Sequence, residues 1–409
     1  MQRYFMLDRE IGDDEDGFAA ALSRAYALRE KPLCLCRRDV ALPLYISLRH
    51  DVHVVARWPG SGALHAPGCE HYEAPDFLTG LGQVKGGAII ENEETGEADL
   101  RFAFPLSRSP ARAAPSALTN DKPSIKSTGQ RLSMRGLLHY LWDRAQLTHW
   151  HPKMAGKRNW YVVRRALLSA AQTCRARGES FAQSLFIPEV LNIDKKDEIT
   201  ARRRSELAPV HASHDAIMVV IGEVKSIDEA RFGERLLLRH LPDWPFTLDR
   251  DMARRFHKRF AGEQQLWNAN GTKGHLVMAA SFSLSPSGLP EVIEMSVMPV
   301  TDQWLPFESL DELALIAKAV TGNRRFVKGL RLNLGSDVPI ASMALTDTGA
   351  MATAVYLELG RIDPAYDEAL ALLMRAPGVE HATWQPGTTL PPVKARSPSS
   401  TMRPNRTVQ

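Results

Sequence analysis

Apolar and polar positions alternate in short runs over the first hundred residues and then take up helical spacing, a pattern that predicts an α+β chain. Residues 1–30 read as a short strand and then a helix, with Phe18, Ala21, Leu22, Ala25 and Leu28 on one face. Asp13, Asp14 and Asp16 stand near its start, where the helix dipole favours negative charge. Leu42–Leu48 and Val52–Trp58 are strand-like runs about a turn at Arg49-His50-Asp51. A second hairpin is expected from Gly86 to Phe104 around an acidic turn. Ser133 is an N-cap candidate for a helix with Leu137, Leu138, Leu141, Trp142 and Ala145 on one face. A further helix is expected from Gly156 to Arg177, burying Trp160, Val163, Leu167, Ala170, Ala171 and Cys174.

Ala216–Lys225 is apolar on both faces and reads as a central strand. Arg231–His240 completes its hairpin. A basic helix lies between Phe246 and Trp267, and strands follow at His275–Leu284 and Glu291–Pro299. The last unit predicts a helix at Ser309–Val320, three strands at Arg325–Asn333, Val338–Thr346 and Thr353–Gly360, a helix at Ala365–Arg375 and a strand near His381–Trp384. Residues 105–132 are rich in Pro, Ser, Ala and Thr and read as a linker. The expected divisions are therefore 1–104, the linker, a central region at 133–300, a C-terminal unit at 301–385 and a disordered tail from 386 to 409. Asn192–His214 reads as a charged connection.

Composition adds little to this picture. With 409 residues, 44% hydrophobic and 24% charged, the chain is ordinary for a globular protein of two or three domains. No apolar run reaches transmembrane length, and the N-terminus is charged too early for a secretory signal, so no membrane association and a cytoplasmic location are expected. A net charge of +4 permits nucleic-acid binding without requiring it.

Three of the four cysteines cluster in Cys34-Leu-Cys36 and His65-Ala-Pro-Gly-Cys69-Glu-His71. A hairpin apex near His50 sets Cys34 across from His65, with Cys36 and Cys69 nearby. Cys-x-Cys is too tight for a relaxed disulfide. Cys34, Cys36, His65 and Cys69 therefore make a candidate structural zinc site, closed by four protein ligands. His71 is the alternative fourth ligand, because Cys-x-Cys…Cys-x-His loosely resembles SWIM-type zinc fingers. Cys174 reads as a core thiol.

Lys153, Lys157, Arg158, Arg164 and Arg165 interleave with Trp160, the mixture of charge and flat rings that DNA or RNA strands require. Two weaker patterns suggest nuclease chemistry. Glu223-Val-Lys225 mimics an acid-x-Lys step, although Asp215, the nearest upstream carboxylate, lies on the same strand. The C-terminal order of helix, three strands, helix and strand resembles a restriction-endonuclease-like core, with Asp347 and Glu358 as its carboxylates. There Pro339-Ile340 stands in place of Pro-Asp, and Gly360 in place of the lysine, so the core is expected to be degenerate.

At Cys34-x-Cys36…His65-x-x-x-Cys69 and Gly136-Leu-Leu-His-Tyr-Leu-Trp142, the chain resembles the bacterial domain-of-unknown-function family 1173. Leu185–Glu189, Gly222–Lys225, Arg324–Arg331 and Leu345–Asp347 carry the same resemblance. It implies three N-terminal cysteine positions and a plasmid or mobile-element setting. It implies no catalytic activity. From the residues themselves, DNA or RNA, or another protein of the same element, is the expected partner.

Overall fold

The first sheet forms before residue 60 and has five strands. β1 (Arg3–Met6) and β2 (Arg9–Gly12) make a tight hairpin, and α1 (Phe18–Ala27) buries Ala21, Leu22 and Ala25 in the core of this sheet. β3 (Leu33–Cys34), β4 (Leu42–Arg49) and β5 (Val52–Arg57) complete the order β2-β1-β3-β4-β5. Leu28 is exposed, because the helix ends one residue before it. The computed structural model describes residues 2–107 and 129–394, except 38, 50, 51, 59, 93, 94, 214, 270–272, 359, 361 and 362. Most of the expected linker, and the expected tail beyond residue 394, lie outside the described residues.

The chain continues through α2 (Leu81–Val84) and the hairpin of β6 (Ile89–Glu91) and β7 (Ala98–Leu100). After the linker come α3 (Met134–Arg144), β8 (His149–Trp150), α4 (Trp160–Gln172), β9 (Cys174–Ala176), β10 (Glu179–Ser180) and β11 (Leu185–Phe186). Ser133 caps α3, its Oγ accepting from Gly136 N at 3.0 Å. Helix α4 is shorter than its periodicity predicts. Asn159 caps its start by accepting from Val162 N at 3.1 Å, and after Thr173 the chain enters a strand that carries the buried Cys174. α3 is buried on nearly every side, with Trp142 fully enclosed, so it forms the centre of the largest core.

Asn192–His214 differs from its sequence reading, since α5 (Lys196–Glu206) and α6 (Ala208–Ala212) occupy it. α5 buries no residue and so has no apolar stripe to betray it. Asp197 and Glu198 at its start, Arg203 and Arg204 at its end, and the Glu198–Arg202 pair at 3.6 Å support it instead.

β12 (Met218–Ala230), β13 (Gly233–Leu238) and β14 (Leu241–Asp249) lead into α7 (Arg250–Arg259), α8 (Ala261–Ala269), β15 (His275–Leu284) and β16 (Pro290–Val300). β12 is shared between two partners. Met218–Glu223 pair with β15, Val224–Ala230 pair with β13, and the ladder bulges at Lys225. Because β14 also meets β16, the sheet closes on itself around Phe246, Phe282 and Met295.

The last unit is α9 (Leu310–Thr321), β17 (Phe326–Lys328), β18 (Met343–Leu345), β19 (Thr353–Leu357), α10 (Pro364–Leu373) and β20 (Glu380–Trp384), in the expected order. Its strands are shorter than the apolar runs that predict them. The sheet runs β20-β19-β18-β17-β8, antiparallel throughout except for the parallel β19–β20 pair. Its edge strand β8 comes from the central region, and β7 pairs with β9 across the linker. The expected divisions therefore share sheets.

Candidate metal centre

Cys34, Cys36, His65 and Cys69 meet at one point, their ligand atoms all within 4.8 Å of one another. Cys34 ends β3, where it pairs with Tyr4 of β1 and Leu42 of β4. Cys36 follows in the bend. His65 leaves a single 3₁₀ turn at Gly62–Leu64, and Cys69 closes the next turn, its N–H donating to Ala66 O at 2.8 Å. The expected hairpin register is not what assembles them. β3 runs antiparallel to β4 rather than extending it, so the chain reverses after Cys36, and the 58–69 loop carries His65 and Cys69 back to β3.

Cys34 Sγ and Cys69 Sγ are 3.6 Å apart, and His65 Nδ1 lies 3.5 Å from Cys36 Sγ and 3.7 Å from Cys69 Sγ. Metal–sulfur bonds of about 2.3 Å in a tetrahedron place sulfurs about 3.8 Å apart, so these edges fit a tetrahedral ion. Three N–H groups point at the sulfurs: Gln2 Nε2 to Cys34 at 3.0 Å, Ala66 N to Cys36 at 3.3 Å and His71 N to Cys69 at 3.4 Å. Such donors offset the surplus negative charge of three thiolates around a divalent ion. Without a cation the thiols compete. Hydrogen bonds from Cys34 and Cys69 hold the Cys36 thiol far below its usual range, while contact with Cys36 pushes Cys34 up to about 12. A bound cation would let all three sulfurs bind as thiolates.

The geometry selects His65 over His71. His71 Nε2 lies 3.2 Å from the Tyr4 hydroxyl, and burial lowers its pKa to about 4. Its role at the centre is the backbone donation to Cys69. His65 Nε2 is buried without a hydrogen-bond partner among the described residues.

The centre also ties the first sheet to the last. Just past Cys69, Tyr72 O accepts from His149 Nε2 at 3.1 Å, Gly80 N donates to Leu330 O at 2.9 Å, and Ala341 N donates to Leu78 O at 2.8 Å. Cys34 and Cys69 share a core with Val327, Ala344 and Ala352 of the C-terminal unit. A family model described as a protein of unknown function, DUF1173, matches residues 4–387. The chain belongs to this family. No curated protein and no solved structure gives a match.

The proposed nuclease carboxylates of this DUF1173 chain do not converge. β18 and β19 are antiparallel, with Leu345 opposite Thr353. Asp347 follows one end of the pair and Glu358 the other, and the stretch from Thr353 to Glu358 alone spans on the order of 16 Å at 3.3 Å per residue. Asp347 is held by Arg324, and Glu358 is exposed, accepting from Thr383 at 2.6 Å. Ile340, where an aspartate would face Glu358, is buried. Glu223 is buried among Arg239, His240 and His275, and Lys225 is exposed at the bulge, so no second carboxylate completes that pair among the described residues.

The basic-aromatic segment divides into interior and surface groups. Arg158 donates to Leu147 O at 2.9 Å and to His149 O, and lies over Trp150. Trp160 is buried, with Nε1 on Pro188 O at 2.8 Å, so its faces are closed to a base. Arg164 donates to Ile187 O at 2.8 Å. Lys153, Lys157 and Arg165 remain on the surface. A denser basic surface, missed as a site, lies on α7. Its signal was present in Arg250-x-x-x-Arg254-Arg255-x-x-Lys258-Arg259 with apolar residues between.

Proposed function

We propose that this DUF1173 chain is a zinc-stabilised accessory protein that binds nucleic acid without cutting it. The observation that carries the binding half is helix α7. It buries Met252, Ala253 and Phe256, while Arg250, Arg254, Arg255, Lys258 and Arg259 stand exposed around a single acid, Asp251. The Arg254–Asp251 pair at 2.9 Å and the Arg259–Glu294 pair at 3.2 Å are solvent-exposed and worth little, so phosphates compete with them readily. Gly233 pairs with Asp249, which sets the hairpin tip beside the start of α7. That tip carries Phe232, 71% exposed, with the Arg231 guanidinium 5.1 Å from its ring centre, a flat group on which a base can stack.

The separated carboxylates support binding without cleavage. The element order of the C-terminal unit supports a degenerate endonuclease-like core that keeps the scaffold and has lost the chemistry. Zinc fits the donor set best, because three thiolates and one imidazole at tetrahedral spacing leave no open position. The plasmid or mobile-element setting rests on the family resemblance alone. A protein-interaction scaffold is the second reading, favoured by Val190, Leu191 and Ile193, which expose apolar surface ahead of α5.

The test is binding to single- and double-stranded DNA and to RNA over a salt series, with and without magnesium. Affinity falling log-linearly with salt, and no cleavage with magnesium, is the expected result. No binding at low salt would remove the reading.

A further inference from the structure

One arginine and two histidines converge on one buried carboxylate where β12 passes from β15 to β13. Glu223 has a side chain only 2% exposed, and its Oε1 takes both Arg239 Nε at 2.6 Å and His275 Nδ1 at 2.8 Å. His240 Nε2 approaches Oε2 at 3.7 Å, and its Nδ1 accepts from Leu191 N at 3.3 Å, so both of its nitrogens face protein. Sharing one oxygen holds the Arg239 and His275 nitrogens within about 5.4 Å of each other (2.6 plus 2.8).

The rings around this carboxylate are fixed. His275 stacks on Trp304 with centroids 4.1 Å apart and planes 13° apart, and His240 stacks on Trp160 at 5.6 Å and 16°. The two tryptophans lie 5.7 Å apart, so a row of four aromatic rings joins the two histidines that reach Glu223. Trp304 holds a φ of +61°, an uncommon conformation for a bulky residue, and strain of this kind collects at functional positions.

One ion pair would suffice to neutralise Glu223. Here its partners exceed it in number, and they are arranged unevenly. Arg239 is 55% exposed above a carboxylate that is nearly inaccessible. Beside the ion pair of Nε with Glu223, its two terminal nitrogens donate no hydrogen bond among the described residues. The same holds for His275 Nε2, since Nδ1 is the atom committed to Glu223. We infer that Glu223 seats Arg239 and His275 as a preorganised site for a phosphate group. The fork of Arg239 matches two phosphate oxygens. Glu223 positions both groups and does not touch the ligand. α7 packs on the face of the sheet opposite Glu223, because Met218 and Val220 share its core while Val219 and Ile221 share that of α3. The site is therefore separate from the basic helix.

The phosphate group has two sources, a nucleic-acid backbone or a small phosphorylated molecule. The test follows the His275 imidazole resonances of the full chain by NMR during titration with inorganic phosphate, then with a twelve-nucleotide single strand. A saturable shift with phosphate is expected, with affinity about tenfold weaker in Arg239→Gln, the loss of one charge-assisted contact. Displacement of phosphate by the oligonucleotide supports the site and assigns it to a backbone. A phosphate shift without displacement supports the site and assigns it to a small molecule. If the oligonucleotide binds nowhere on the protein, the nucleic-acid reading falls while this site stands. The absence of a saturable shift in the wild-type chain overturns the inference without reliance on any variant.

Discussion

Arg324 grips both carboxylate oxygens of Asp347, with Nη2 on Oδ1 at 2.6 Å and Nε on Oδ2 at 3.0 Å. Arg324 also donates to Pro391 O at 2.7 Å, and Lys394 N donates to Asp347 O at 3.1 Å. The pair thus fastens the last described stretch of chain to the C-terminal sheet, so the aspartate named as a weak nuclease candidate has a structural duty. Asp347→Asn leaves Arg324 buried and unbalanced, and a loss of about 3 kcal/mol or more is expected. Glu358→Gln, on an exposed carboxylate, should stay within about 0.5 kcal/mol of wild type. Urea unfolding measures both.

Arg158 and Lys157 are neighbours with opposite duties. Arg158→Ala removes a buried guanidinium from the carbonyls of Leu147, His149 and Gln303, and should cost about 2 kcal/mol or more. Lys157→Ala should leave the unfolding midpoint where it is. Equal effects in thermal denaturation would contradict the buried position of Arg158.

Acid should destabilise the fold through buried histidines. Burial lowers the pKa of His139 to about 3 and that of His149 to about 4. Between these values and about 6.5 the unfolded chain binds protons that the folded chain refuses. The stabilisation is complete above pH 6.5 and is lost as pH falls towards 4, at up to about 1.4 kcal/mol per pH unit for each histidine. His139→Gln keeps an acceptor for Leu332 N and should flatten the slope. Unfolding free energies at pH 7, 6 and 5 give that slope for both proteins.

Charge reversal on α7 separates binding from folding. Arg254→Glu with Arg255→Glu alters only exposed positions, so stability should hold while nucleic-acid affinity and the salt slope both fall. About two phosphate contacts should disappear from the slope. An unchanged slope would move the binding surface away from this helix.

Much of this was legible in local chemistry. Ser133 caps its helix as its side chain predicts, and the order of the C-terminal elements follows from periodicity. The three clustered cysteines were legible as a candidate metal cluster because thiols this close in sequence have few other uses, whereas the choice of His65 over His71 needed the fold. What failed depended on the third dimension. Nothing local tells that Arg158 turns inward, that β3 folds back on β4, or that Asp347 and Glu358 leave opposite ends of their strands. Helix α5 was missed because charge, not apolar burial, supports it.

The most direct test is the metal content of the purified chain beside two histidine variants. One zinc per chain is predicted for wild type and for His71→Ala, with zinc and thermal stability both lost in His65→Ala and Cys69→Ser. A wild-type chain that is folded, metal-free and insensitive to chelators would contradict the centre itself. Zinc retained in His65→Ala but lost in His71→Ala would contradict its geometry.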